Sequence, residues 1–224
     1  EMMALNMVKK GLFGEVIHCD GGYMHNCRFV FAPKDSDPAV PNFRLESMER
    51  RNFHFYPTHD FGPISKVLQI NRGNRMMTLS SFASKARGLK TYIDENFADD
   101  SRYAGKDIKC GDIIDTVITC AGGETVHLRL DTTLPRPFYS RGFTVRGTKG
   151  LYEEATNSVF LDRQEDVSRE WSWRDSAVNN INESNVALYE KLINMGDNSF
   201  VKSFHMKDEA ERLPEDFWQL KGVY

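Results

Sequence analysis

The sequence predicts an α+β domain, a large, mostly antiparallel, open-faced sheet with helices packed on one face. Two hairpin patterns and a shortage of helical stripes predict it. DTVITCAGGETVHLRLDT (115–132) alternates apolar and polar residues on both sides of Ala121-Gly122-Gly123-Glu124, the composition of a tight antiparallel turn. GFTVRGTKG (142–150) and GLYEEATNSVFLDR (150–163) continue the alternation, with Thr156-Asn157-Ser158 as their turn. Helical spacing of apolar residues shows at few places, so strands dominate and helices cover one side of them.

In chain order, EMMALNMVKK (1–10) reads as a helix, with Gly11 as its stop and Lys9 and Lys10 at the negative end of its dipole. No Ser, Thr, Asp or Asn precedes Glu1 as a cap, so the opening reads as the continuation of a longer protein from which an N-terminal portion has been removed. GEVIHCDGGY (14–23) is a strand by alternation. Segment 32–52, APKDSDPAVPNFRLESMERRN, has three prolines and many charges and reads as a surface excursion of the kind that folds over a site. Gly62-Pro63 marks the start of a helix over about 61–71 carrying Ile64, Val67, Leu68 and Ile70, with Thr58–Phe61 as an irregular lead-in. MMTLSSFAS (76–84) is another strand, and Val186, Leu188, Tyr189, Leu192 and Ile193 give a helical stripe over 184–195.

Composition narrows the function. The 224 residues are 40% hydrophobic and 12% aromatic, enough for one large core or two small ones, and the net charge of −3 has no basic excess to meet nucleic acid or an acidic membrane surface. No apolar run reaches the roughly 20 residues of a membrane helix. Cys19, Cys27, Cys110 and Cys120 form no CxxC pair and have no histidine at zinc-ligand spacing, so buried free thiols are expected and no metal site. A Cys19–Cys27 bridge is open but not required. GxSxG, HExxH, GxxxxGK[ST] and GxGxxG are all missing, which removes the local signal for serine hydrolases, zincins and nucleotide-binding loops. No pair of carboxylates stands out in the roles of an ordinary glycosidase.

FHFYPTHDFGP (53–63) is the candidate site. Pro57 pushes Tyr56 into an extended conformation, and the helix beyond presents oriented N–H groups to any negative charge that develops nearby. A phenol and an imidazole held there suit acid–base chemistry; a packed tyrosine and a hydrogen-bonded histidine are the plain alternative. Trp171 and Trp173 suit stacking on a sugar ring or, more simply, packing.

LNMVKKGLFGEVIHCDGGYMHN (5–26), YPTHDFGPISKVLQINRG (56–73) and DTTLPRPFYSRGFTVRGTKGLYEE (131–154), in that order and spacing, resemble the C-terminal domain of the NAD-dependent glycosidases typified by α-N-acetylgalactosaminidase, in the Gfo/Idh/MocA oxidoreductase superfamily. The resemblance implies one substrate-binding and oligomerisation domain over 1–224. A preceding Rossmann domain, absent from this chain, would hold most of the NAD, and the isolated domain would be inactive.

It also implies a mechanism: oxidation of the sugar at C3 by NAD⁺, deprotonation at C2, elimination of the aglycone, addition of water and return of the hydride. Such enzymes are an exception to the two-carboxylate rule. Tyr23 in GGYMHN matches the family's proposed C2 base, and Tyr56 and His59 in YPTH match residues lining the sugar pocket. A tyrosine with an ordinary pKa of about 10 is a poor base at neutral pH and needs a neighbouring cation, for which His59, Arg136 and the nicotinamide are candidates. His59 alternatively handles the C3 hydroxyl proton. His25, Asn26, Arg136 and Tyr139, with Arg141, are candidates for sugar binding.

The partners implied are a glycoside, the chain's own Rossmann domain and further copies through the sheet face, in a bacterial cytoplasm or periplasm. A sugar or glycoside 3-dehydrogenase domain and a non-catalytic, sheet-mediated dimerisation domain are the alternatives. Where YPTHGLGP is the family pattern, this chain has YPTHDFGP, which places a charge beside His59. After about residue 165 the resemblance fades and no HGGMD segment follows.

Overall fold

The computed structural model describes residues 1–35, 37 and 40–162; the helix expected at 184–195 and Trp171 and Trp173 lie outside them. The chain is α+β. Its seven strands are β1 (Val16–Met24), β2 (Met76–Ala83), β3 (Ile113–Cys120), β4 (Thr125–Asp131), β5 (Thr144–Gly147), β6 (Gly150–Glu153) and β7 (Ser158–Leu161). They form an open sheet in the order β2-β3-β4-β1-β5-β6-β7, and the pairs β2–β3, β3–β4, β5–β6 and β6–β7 are antiparallel. The helices are α1 (Met2–Lys9), α2 (Arg28–Phe31), α3 (Phe43–Arg50), α4 (Pro57–Val67) and α5 (Gly88–Asn96). No helix among the described residues is long and apolar enough to cross a membrane.

The chain divides into two compact units. The first combines residues 1–18 with the chain from Thr144 onward. Its α1 ends where Gly11 turns to φ +70° and the N–H groups of Gly11 and Leu12 close on the carbonyls of Val8 and Met7. Met3, Ala4 and Met7 are the buried face of that helix. Phe13, fully buried, packs against the β5–β6 hairpin, and burial of such a ring stabilises by about 2–3 kcal/mol.

The second unit, Cys19–Phe143, carries the candidate site. The β3–β4 hairpin has the predicted turn, with Thr119 opposite Thr125, and alternation buries Ile114, Ile118, Val126, Leu128 and Leu130. Leu130 and Ile114 join Leu45 and Met48 of α3, Leu89 and Ile93 of α5, Phe31 of α2 and Cys27 in one core. Segment 32–52 is therefore more than a surface excursion. Asn42 caps α3 by accepting from the Leu45 N–H at 3.2 Å, and the helix sinks its apolar side into that core.

The start of α4 also differs from expectation. The helix begins at Pro57, with Pro63 inside it, rather than at Gly62-Pro63. Pro57 sits at the first helical position, where its fixed φ fits and its missing N–H costs nothing. Pro63 removes one ladder bond, but it is buried with Ile64 and Val67, and that packing carries the helix through.

Helix α5 has no cap of its own. Asp112, 24 residues downstream of its first residue, supplies one: its carboxylate accepts from the N–H of Arg87 at 2.6 Å and of Gly88 at 2.9 Å, and from the Thr133 hydroxyl at 2.7 Å. Strand β2 lies at the sheet edge, with Met76, Met77, Leu79 and Phe82 exposed. All four cysteines are buried free thiols; there is no Cys19–Cys27 bridge, and burial pushes the Cys19 thiol up to about 12.

Candidate functional site

Tyr23 is the centre of the site. It is the next residue after Cys19 and Gly21 on one face of β1, and the two-residue period points it to the helix-covered side. Gly21 lets α4 come close: a Cβ there would lie 2.8 Å from Ile64 Cδ1 and 3.0 Å from the Asp60 carbonyl oxygen. That approach carries the first turn of α4 over the end of β1. The His59 ring stacks on Tyr23 with centroids 4.5 Å apart, and Tyr56 leans against it at 4.7 Å. Tyr56 and His59 are themselves 5.8 Å apart, edge to face. All three rings are partly exposed.

The rest of the cluster arrives from the loop after β4. Ser140 and Met24 exchange backbone hydrogen bonds of 3.0 Å, and the His25 N–H donates to the Asp131 carbonyl at 2.8 Å. These bonds bring the Tyr139 ring to 5.8 Å from Tyr23 and 5.6 Å from His25, with His25 6.1 Å from Tyr23. Five of the sequence-predicted residues, Tyr23, Tyr56, His59, His25 and Tyr139, thus share one aromatic patch.

Two others are turned to local partners. The Asn26 side-chain oxygen accepts from Arg28 Nε at 3.0 Å. Arg136 holds the buried Asp131 carboxylate at 3.2 Å and lies over the Phe138 ring, so its charge is directed to Asp131 rather than to a tyrosine of the cluster. Burial raises the Asp131 carboxyl pKa above the usual carboxylate range, against the pull of Arg136. Arg141 Nε donates to the Tyr139 hydroxyl at 2.5 Å, fixing that ring at the rim.

The two tyrosines at the centre have different surroundings. Burial pushes the Tyr23 phenol upward, and its hydroxyl donates to the Cys27 thiol, which adds to the rise. The Tyr56 hydroxyl instead accepts from Arg44 Nε at 3.1 Å. Arg44, on α3, was missed from the sequence among the scattered charges of segment 32–52. The only signal for it was that segment 32–52 was expected to fold over a site.

Beneath the patch, His54 Nε2 lies 2.7 Å from Asp60 Oδ2, with Asp60 1% exposed. The contact is short but off the hydrogen-bonding axis, and Asp60 Oδ1 accepts from the Phe61 N–H at 2.6 Å. The pair ties residue 54 to residue 60 across the turn that presents Tyr56 and His59. Among the described residues no three His, Cys, Asp or Glu side chains gather as metal ligands.

The profile of the glycosyl hydrolase 109 C-terminal domain matches residues 1–200, well past the point where the resemblance had been expected to fade. A glycosyl hydrolase family 109 protein from Stenotrophomonas maltophilia is 40% identical over 178 residues, covering 72% of this chain and 38% of its own length. An alpha-N-acetylgalactosaminidase from Tannerella forsythia is 37% identical over 190 residues, covering 76% of this chain and 40% of its own. The chain thus spans about two fifths of the length of these relatives. A solved inositol dehydrogenase homologue from Azotobacter vinelandii, complexed with NADH and myo-inositol, aligns over 73% of this chain and 37% of its own, at 15% identity and a TM-score of 0.47. On the profile match and these identities, the chain belongs to glycosyl hydrolase family 109 and corresponds to its C-terminal domain.

Proposed function

We propose that this chain forms the sugar-binding side of an NAD-dependent glycosidase that works by oxidation at C3, deprotonation at C2 and elimination of the aglycone. The observation that carries the reading is the convergence of Tyr23, Tyr56 and His59 on one partly exposed patch. Phenols and an imidazole can take up and return protons beside a sugar without the carboxylate pair of ordinary glycosidases.

The residues present fit a sugar rather than a dinucleotide. We place the cofactor mainly on a nucleotide-binding domain that would pair with this chain, as the family resemblance implies. When bound, NAD⁺ supplies the hydride acceptor that makes the C3 ketone. The chain's own residues do the rest. His59 takes the proton of the C3 hydroxyl, the phenols face C2, and His25 and Tyr139 border the ring, with Asn26 and Arg136 holding the surrounding loops. The stacked rings exclude water from one sugar face. Alone, the chain binds sugar and does not turn over.

The substrate class follows the Tannerella relative's name: α-N-acetylgalactosaminides. The test joins the chain to a nucleotide-binding domain and supplies NAD⁺ and aryl α- and β-N-acetylgalactosaminides in deuterated water. Deuterium at C2 of the released sugar is the expected result. Aglycone release without it overturns the mechanism, and net NADH without aglycone release establishes a 3-dehydrogenase instead. We also infer that the exposed apolar residues of β2 meet a second copy of the chain, because an uncovered sheet edge bearing Leu79 and Phe82 invites pairing.

A further inference from the structure

The loop after β4 crosses the rim of the aromatic patch between two anchors. It is pinned at one end where the Cys27 N–H donates to the Thr132 carbonyl at 2.8 Å, and at the other by the exchange between Met24 and Ser140. Residues 134–139 span the interval and bring the Tyr139 ring to His25 and Tyr23. Pro135 and Pro137 stiffen the span and bias Arg136, between them, toward an extended backbone. We propose that the Asp131–Arg136 ion pair is a latch on this loop: while Asp131 is ionised it holds Tyr139 against the patch, and when Asp131 takes up a proton the loop is released and the site loses affinity for its sugar. The proposal rests on the reading of the patch as a sugar site.

Arg136 Nη1 donates to Asp131 Oδ2 at 3.2 Å, and the same guanidinium lies 5.5 Å from the Phe138 ring centre, so the group that grips the strand also grips the residue before Tyr139. The grip is incomplete. Asp131 Oδ1 and Arg136 Nε are both buried without a hydrogen-bond partner, so a pair able to form two parallel bonds forms one. Taking the charge off Asp131 leaves a guanidinium inside the protein with no counter-charge, and water is then the better place for it.

Other charges nearby are engaged elsewhere. Arg129, two residues back on β4, hydrogen-bonds Asp115. Asp112, before β3, caps α5 and accepts from Thr133. Arg141 donates to the Tyr139 hydroxyl and moves with that ring. His25 offers its backbone N–H to the Asp131 carbonyl and turns its ring to Tyr139. Burial outweighs the pull of Arg136 and Arg129, and Asp112 adds to it, so the Asp131 carboxyl pKa stands above the ordinary aspartate value of about 3.9. A folded-state pKa above the unfolded one means that the folded chain takes the proton more readily, so protonation of Asp131 does not unfold the domain. Sugar affinity is full above the Asp131 pKa and falls as pH drops through it, in a fold that stays intact.

The experiment follows the chain alone by NMR as pH is lowered from neutral, with and without methyl α-N-acetylgalactosaminide. In the parent, cross-relaxation between the Tyr139 and His25 rings fades in step with the Asp131 carboxyl resonance, and the sugar Kd rises ~10-fold, the loss of one aromatic contact. Asp131→Asn, permanently uncharged, lacks the ring contact and binds weakly already at neutral pH, yet melts no lower than the parent. Whatever pH dependence this variant keeps belongs to His25 and His59 and is subtracted. Arg136→Gln behaves like Asp131→Asn, and Arg136→Lys recovers affinity because the contact is a single charged bond rather than a fork.

A Tyr139–His25 contact that persists after Asp131 has titrated overturns the latch, and so does an Asp131→Asn chain that binds like the parent at neutral pH. An Asp131→Asn chain that melts well below the parent makes the pair a structural support and overturns it too. A contact that opens with no loss of affinity refutes the link to sugar. A parent that binds no sugar at any pH sinks the sugar reading instead, and the ring contact, read without sugar, still decides the latch.

Discussion

Removing both members of the His54–Asp60 pair should cost less than the sum of removing each alone. In Asp60→Ala the Phe61 N–H loses an acceptor 2.6 Å away, the first turn of α4 loses its acidic residue, and His54 keeps two buried nitrogens with no partner. A lost charged hydrogen bond, a lost dipole interaction and a stranded imidazole sum to ~3 kcal/mol. His54→Ala strands a carboxylate that is 1% exposed, at a similar ~3 kcal/mol, toward the lower end for a broken buried pair because the contact is off-axis. The double variant removes both groups and should cost ~4 kcal/mol rather than ~6, a coupling of ~2 kcal/mol. Urea unfolding followed by circular dichroism reads this directly. With a slope of ~2 kcal/mol per molar, each single variant lowers the midpoint by ~1.5 M and the double by ~2 M. Strict additivity, or an Asp60→Ala midpoint within ~0.3 M of the parent, would refute the idea that the two groups support one another.

Three other outcomes follow from the geometry. Gly21→Ala places a Cβ 2.8 Å from Ile64 Cδ1 and 3.0 Å from the Asp60 carbonyl; it should cost ~2 kcal/mol and weaken sugar binding, measured by thermal melting and calorimetric titration. Asp112→Ala removes the remote cap of α5 and should cost ~2–3 kcal/mol, with the fastest gain in amide exchange at residues 88–91, whereas uniform protection would contradict the capping role. Arg129 hydrogen-bonds Asp115 at 2.7 and 2.8 Å and holds its carboxyl pKa below the usual range. The folded pKa is below the unfolded value of about 3.9, so this contribution is present above that pH and is lost as pH falls through the folded value. Arg129→Gln should therefore flatten the acid limb of the stability curve below about pH 4, by less than ~1 kcal/mol because the pair is partly solvated.

The sheet could be read from sequence because alternation in residues 76–84 and 115–132 is a local signal, and the strands formed almost where it placed them. Helix α4 was misplaced by about four residues at its start because Gly62-Pro63 carries the same local signature as a helix beginning, and only burial of Pro63 and Ile64 decides against it. Helix α5 was hidden for a different reason. Its cap, Asp112, lies 24 residues further along the chain from Gly88, and no short window contains both. In the site, Tyr56 and His59 were marked by the proline-led junction before α4 and Tyr23 by motif likeness, and their convergence depends on Gly21, whose missing side chain admits α4. Arg44 could not be singled out, since its value lies in the direction of one guanidinium among many.

The bare outer strand has a practical bearing on making this protein. Residues 76–83 contain no lysine, glutamate or proline to discourage a stranger from zipping onto them, and their methionines, leucine and phenylalanine are wet. A ribbon so exposed, with nothing to blunt it, is the expected aggregation point when the polypeptide is made at high level, and a charge placed on its wet face should raise soluble yield.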